Sequence, residues 1–182
     1  MKAWIQRAKD LLAYSLQRVP QELNELDWKQ ALSPNNEKLA QHLSAFANLP
    51  GGGFLAFGIE NSTGSVVGVI KQDADSIVQK LSALGRDALD PLVAIDHAIE
   101  ILENRPVLIV HIRECAIKPV HLKSGTVEDA WIRTGGCTRK ASRQEVGGLM
   151  LNSKTPQFEE LHSSKLKTAQ EVFDIFGLSE HL

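Results

Sequence analysis

The sequence predicts an α+β domain, a mostly antiparallel sheet with helices packed on it, and three observations carry that reading. Val93 to Ile101 alternates apolar and polar residues, Asn104-Arg105 makes a turn, and Pro106 to Arg113 is a second apolar run, which together spell a β-hairpin. Segments of helical spacing are interleaved with short strands along the whole chain, as a layered fold requires. Leu39 to Val69 runs from an apolar helix face into three glycines, an apolar strand, a tight turn and a second short strand. Three successive glycines cost conformational entropy, so the backbone there must take positive φ or approach something closely.

The elements follow in order. Residues 2 to 18 have helical spacing, with Trp4, Ile5, Ala8, Leu11, Leu12, Ser15, Leu16 and Val19 on one side, and Pro20 ends the pattern. A helix of this kind packs its apolar stripe on a core; a dimerisation or partner helix is the sharper alternative. Leu26-Asp27-Trp28-Lys29 alternates as a short strand, with Leu26 and Trp28 on one face and Asp27 and Lys29 on the other. Ser33-Pro34-Asn35-Asn36 is turn and N-cap chemistry before a helix that turns Leu39, Ala40, Leu43, Phe46 and Ala47 inward. Phe54 to Ile59 is a strand buried on both faces, and a turn at 61–64 leads to a strand over Ser65 to Ile70. Asp73 caps a helix carrying Ile77, Val78, Leu81 and Leu84. A further strand is expected over Glu128 to Thr134, and the capping box Ser142-Arg143-Gln144-Glu145 opens a short helix through Leu149. A polar linker follows Leu151, and a second capping box at Thr168 opens a terminal helix stopped by Gly177. The expected organisation is an N-terminal helix over 1–19, a domain over 20–151, and a linker plus helix over 152–182.

Composition bounds the function classes. The chain has 182 residues, enough for one core, and a formal charge of −2. A net-acidic chain presents no global basic field, so any nucleic-acid surface must be a local patch. Cys115 and Cys137 are the only cysteines, which is no disulfide framework and suggests a reducing compartment. No apolar run approaches a membrane span, and the charged N-terminus lacks a signal-peptide core, so the expected location is cytoplasmic. The six histidines and two cysteines show no zinc-like spacing, and His97 and His111 read as sheet histidines. Gly51-Gly52-Gly53 lacks the Lys-Ser/Thr that completes a phosphate-gripping loop.

Two groups of residues could carry chemistry. Glu22, Asp27 and Glu60 flank the two central strands; converging hard oxygens bind Mg²⁺ or Mn²⁺ and support phosphodiester cleavage, whereas from spacing alone they read as ordinary solvated acids. Lys29, Arg133, Arg139, Lys140 and Arg143 gather at strand ends and a Gly-containing turn before a helix N-terminus, which suits phosphate as readily as it suits a solvated basic loop.

Several motifs in order then resemble the Schlafen-type divergent Alba-like domain family: Leu26-Asp27-Trp28-Lys29, Ala45-Phe46-Ala47-Asn48, Gly51 through Glu60, Gly64 and Gly68, Pro119-Val120-His121, Ala130 through Gly135, and Thr138 through Ser142. The resemblance covers roughly residues 20 to 150. It implies an α/β fold on a strand-rich core and nucleic-acid binding, in bacterial proteins described as transcriptional regulators or as helicase-like, ATP-binding proteins. It also implies a second reading, because some animal Schlafens cut RNA with a carboxylate triad: Glu22, Asp27 and Glu60 fall at those positions, which would make the chain a metal-dependent endoribonuclease using Mg²⁺ or Mn²⁺. The chain departs from the pattern in having Asp27 where Glu is usual, Trp28 where Phe is usual, and Glu60-Asn61 where many members have Asp. The animal enzymes use two such lobes, so a nuclease built on this chain would call for a homodimer or would be weaker. A third reading, from the Gly turn and the net negative charge, is a nucleotide- or small-molecule-binding regulatory domain. The principal expectation is a nucleic-acid-binding domain, with RNA or DNA as partner and no membrane.

Overall fold

The computed structural model describes residues 2–16 and 22–153. The elements run α1 (Ala3–Ser15), β1 (Leu26–Lys29), α2 (Asn36–Asn48), β2 (Gly53–Phe57), α3 (Lys71–Asp87), β3 (Leu89–Asp90), β4 (Ile95–Leu102), β5 (Arg105–Ile112), β6 (His121–Leu122), β7 (Trp131–Thr134), β8 (Cys137–Lys140) and α4 (Arg143–Leu151). The main sheet has the order β1-β2-β5-β4; β1 is parallel to β2, and the other two pairings are antiparallel. Two short antiparallel pairs, β3 with β6 and β7 with β8, complete an α+β fold.

Strand parity builds two cores on the two faces of this sheet. Leu26, Trp28, Phe54, Ala56, Val107 and Ile109 face α1, which buries Ala8 and Leu12 among them. Leu55, Phe57, Leu108, Val110 and Ile112 face α2 and α3, whose Leu39, Leu43, Phe46, Ile77 and Leu81 close the second core. β2 is buried on both faces, as its unbroken apolar run requires. α1 therefore packs on the sheet. It is pinned by Lys2 and Trp4 on Asp96, by Lys9 on Glu100, and by the Trp4 ring against His111, which stacks in turn on Phe54.

The glycine run is explained by close approach to the chain itself. A Cβ on Gly52, at φ +69°, would lie 2.3 Å from the Ile112 carbonyl oxygen, and one on Gly53 would lie 2.1 Å from the Phe46 ring. The space facing Gly52 and Gly53 is thus filled by β5 and α2.

Several expected boundaries differ. The strand expected over Ser65 to Ile70 is a single bridge, Ile59 to Val66, because the chain turns away at Gly68 to pass over Pro106. The helix expected to be capped by Asp73 starts at Lys71, with Asp73 in its first turn. The strand expected from Glu128 begins only at Trp131, since Thr126 caps a turn of 3₁₀ helix over Val127–Asp129. The basic turn is the tip of a hairpin, with β8 as a strand the spacing did not suggest. The Thr168 capping box and its terminal helix lie outside the described residues. No described helix is long and apolar enough to cross a membrane.

Candidate functional site

The β7–β8 hairpin stands against the start of β1 and the first half of α2, and a hollow of about 350 Å³ opens between them. The hairpin is fixed from below by α2. Buried Asn48 donates to the carbonyls of Val120 and Trp131 at 2.9 and 3.0 Å and accepts from the Val120 N–H at 2.8 Å. Ser44 accepts from the Trp131 N–H and donates to Val120. From the side, Arg133 grips the chain ahead of β1: its Nε donates to the Asn24 carbonyl at 3.2 Å and its Nη2 to the Leu23 carbonyl at 2.9 Å. Gly136, at φ +78°, comes so close that a Cβ would sit 2.7 Å from the Glu22 carbonyl oxygen.

Asp27 is the centre of the site. Its parity on β1 turns it away from α1, and its side chain is 1% exposed. Its Oδ1 accepts from Lys29 Nζ at 2.7 Å, and the same ammonium donates to Glu22 Oε1 at 3.3 Å. Its Oδ2 has no hydrogen-bond partner and lies 3.6 Å from both Arg133 Nη1 and His42 Nδ1. Thr138 links the last two. Arg133 Nη1 donates to Thr138 Oγ1 at 3.1 Å, and the same hydroxyl lies within hydrogen-bond distance of His42 Nδ1 at 3.0 Å.

The ionisation pattern follows from burial and neighbours. Burial depresses the His42 imidazole below its ordinary value; the Asp27 carboxylate opposes this, and the charges of Arg133, Lys29 and Lys38 add to it. Burial and then the Asp27 charge raise the Glu22 carboxyl, and Lys29 offsets only part of that. For Lys29, burial acts downward, but Asp27 and Glu22 together outweigh it and the ammonium is stabilised. Lys29, Lys38 and Arg133 thus face Glu22 and Asp27 across the hollow, three cations against two carboxylates, one of which holds its proton more tightly than usual.

The expected residues divide sharply. The structure brings Glu22, Asp27, Lys29 and Arg133 together, with Arg133 inside the wall rather than on the surface; its side chain is 1% exposed and its guanidinium stacks over Phe46 at 4.7 Å. Glu60 is not with them. It faces its own turn and accepts from the Thr63 hydroxyl. Arg139, Lys140 and Arg143 lie outside the hollow and pair with Glu145, Asp129 and Glu128. Lys38, His42 and Thr138 were not picked out from the sequence. The available signal was the i, i+4 spacing of Lys38 and His42 beside the apolar stripe of α2.

The acids do not fit a divalent metal. Among the described residues no three His, Cys, Asp or Glu side chains converge to hold one. Glu60 is turned away, and the space between Glu22 and Asp27 holds an ammonium.

With this geometry in view, the comparisons are specific about family. The Schlafen, AlbA_2 family model matches residues 22–142, and the chain belongs to that family. The DIP2311 protein of Corynebacterium diphtheriae has a similar fold, with TM-score 0.54 and 20% identity over 85% of this chain; the chain spans 30% of that protein. The N-terminal domain of a Nitrosomonas europaea protein described as related to the ATP-dependent DNA helicase RecG matches with TM-score 0.51 and 24% identity. It covers 74% of this chain and 93% of its own. No curated protein matches the chain.

Proposed function

We propose that this Schlafen AlbA_2 domain binds nucleic acid, and that backbone phosphate enters the hollow between β1, α2 and the β7–β8 hairpin. The observation that carries the reading is the unequal charge of that hollow: Lys29 and Lys38 at its mouth, Arg133 in its wall, and only Asp27 and Glu22 against them. Lys38 has no carboxylate in ion-pair range among the described residues, so its ammonium is free for a ligand. Lys29 spends two donors on Asp27 and Glu22 and keeps its third. Family membership, and the helicase-related description of one protein of similar fold, support the same ligand class. The unit proposed to bind is residues 20–151.

The nucleotide-binding alternative loses its motif, because Gly52 and Gly53 pack on Ile112 and Phe46. The endonuclease reading has no metal-ligating geometry to support it.

The test is a titration with short RNA and DNA at two salt concentrations. Two neutralised phosphates give a slope of log K against log salt of about −1.4 to −1.8, or roughly a tenfold loss between 50 and 200 mM. Lys38→Glu should weaken binding to every sequence and flatten that slope. Absence of binding to either polymer at low salt would end this reading.

A further inference from the structure

A pair of carboxylates on one wall of a phosphate-sized hollow is an ordinary donor set for a divalent cation. Here the place between them is taken. Lys29 Nζ sits 2.7 Å from Asp27 Oδ1 and 3.3 Å from Glu22 Oε1. The far oxygen of Asp27 faces the Arg133 guanidinium and the His42 ring, each at 3.6 Å. Arg133 cannot leave, because two of its nitrogens hold the carbonyls of Leu23 and Asn24 and its face lies on Phe46. An incoming cation would have to displace an ammonium from a buried carboxylate and settle beside a fixed positive charge, with no third acid to compensate.

We infer that the hollow is a metal-free anion site: the Lys29 ammonium occupies the position between Glu22 and Asp27, and a phosphate is met directly by Lys29 and Lys38. Asp27 then acts as a positioning residue. Its side chain is buried and holds the Lys29 ammonium beside the hollow. One role expected of these acids follows differently from that of a hydrolytic centre: bound phosphate needs no bridging ion. The identity of the ligand as a nucleic-acid phosphate rests on the function proposed above; the exclusion of the metal does not.

The experiment has two arms on the full chain. In the first, Mn²⁺ is titrated into the protein alone and followed by electron paramagnetic resonance. The wild type should show no saturable site. Lys29→Met removes the ammonium and leaves both carboxylates, so it should gain a saturable Mn²⁺ site that the wild type lacks, consistent with the loss of a like charge at the site. Adding Asp27→Asn to Lys29→Met should abolish that gain; should Lys29→Met not fold, Lys29→Gln takes its place. In the second arm, anisotropy of a short labelled RNA is measured in EDTA and in Mg²⁺ at matched ionic strength, and the two affinities should agree within twofold. Saturable Mn²⁺ binding by the wild type that Asp27→Asn removes would overturn the inference, as would RNA binding that EDTA abolishes. Failure of RNA to bind in either buffer would count against the proposed function and leave the Mn²⁺ result standing.

Discussion

Replacing Arg133 with Met should unfold the site rather than merely discharge it. The substitution keeps an apolar stem over Phe46 but removes the donors to the Leu23 and Asn24 carbonyls, the bond to Thr138, and the charge opposite Asp27. Both Arg133 and Asp27 are 1% exposed, so solvent screens little of this. Removing one partner of a buried ion pair costs about 3–5 kcal/mol, and hydrogen bonds from a charged donor contribute about 1.5–3 kcal/mol each, though not additively. Lys29 remains to hold Asp27 Oδ1, which puts the expected loss near the middle, at about 4 kcal/mol. Against a total stability of about 5–15 kcal/mol that is a large fraction, equivalent to roughly 8–16 °C in Tm for a domain of this size. Urea unfolding followed by circular dichroism reads it directly, with the slope m as the check that both states are unchanged. Arg133→Lys keeps the charge and loses the fork, and should recover about half the deficit. A loss below about 1 kcal/mol for Arg133→Met would be the behaviour of a surface cation, and would refute the buried geometry from which the site is built.

Other consequences are as definite. Gly52→Ala meets the Ile112 carbonyl at 2.3 Å and a positive φ, whereas Gly135→Ala meets a positive φ alone; urea unfolding should show about 3 kcal/mol or more for the first and about 1–2 kcal/mol for the second. Equal values would discredit the close approach. Asp96, held at about 2 by Lys2 first and then by Trp4 and the His97 N–H, has a folded pKa below its unfolded value. Its stabilisation is therefore present above about pH 4 and is lost as pH falls toward 2; discounted for the exposure of Lys2, it amounts to about 1–2 kcal/mol. In Asp96→Asn that acid limb should be missing from a stability-against-pH curve; an unchanged limb would show that α1 is held by something else. His42 and His111 are both depressed by burial, so the unfolded chain takes up their protons first, and stability should fall as pH drops through the ordinary histidine range. His111→Phe should remove part of that decline. Charge reversal at Lys140 should leave thermal stability nearly unchanged, because its pair with Asp129 is exposed to solvent, and a shift of several degrees would contradict that placement.

The sequence by itself determined the layers and the faces of β1 and α2, whereas on β4 the alternating Ile99 and Ile101 stand exposed. Period-two alternation put Leu26 and Trp28 opposite Asp27 and Lys29, and the same rule made 93–113 a hairpin, observed as β4 and β5. Helical spacing gave the inward residues of α2 because apolar burial is dictated locally, one face at a time. The ordered motifs over 20–150 agree with the family match over 22–142. What only the tertiary structure decided is which polar groups meet. Glu22, Asp27 and Glu60 look equivalent along the chain, yet Gly58 ends β2 at positive φ and carries Glu60 into its own turn, while β1 leads Asp27 under Arg133 from a hairpin more than a hundred residues later. Arg133 and Arg139 both sit in one basic run, but strand parity buries the first and leaves the second outside with Glu145. Local pattern records whether a residue faces in or out; the electrostatic role of a charge depends on the partners that long-range pairing brings within about 4 Å, and no spacing along the chain encodes those.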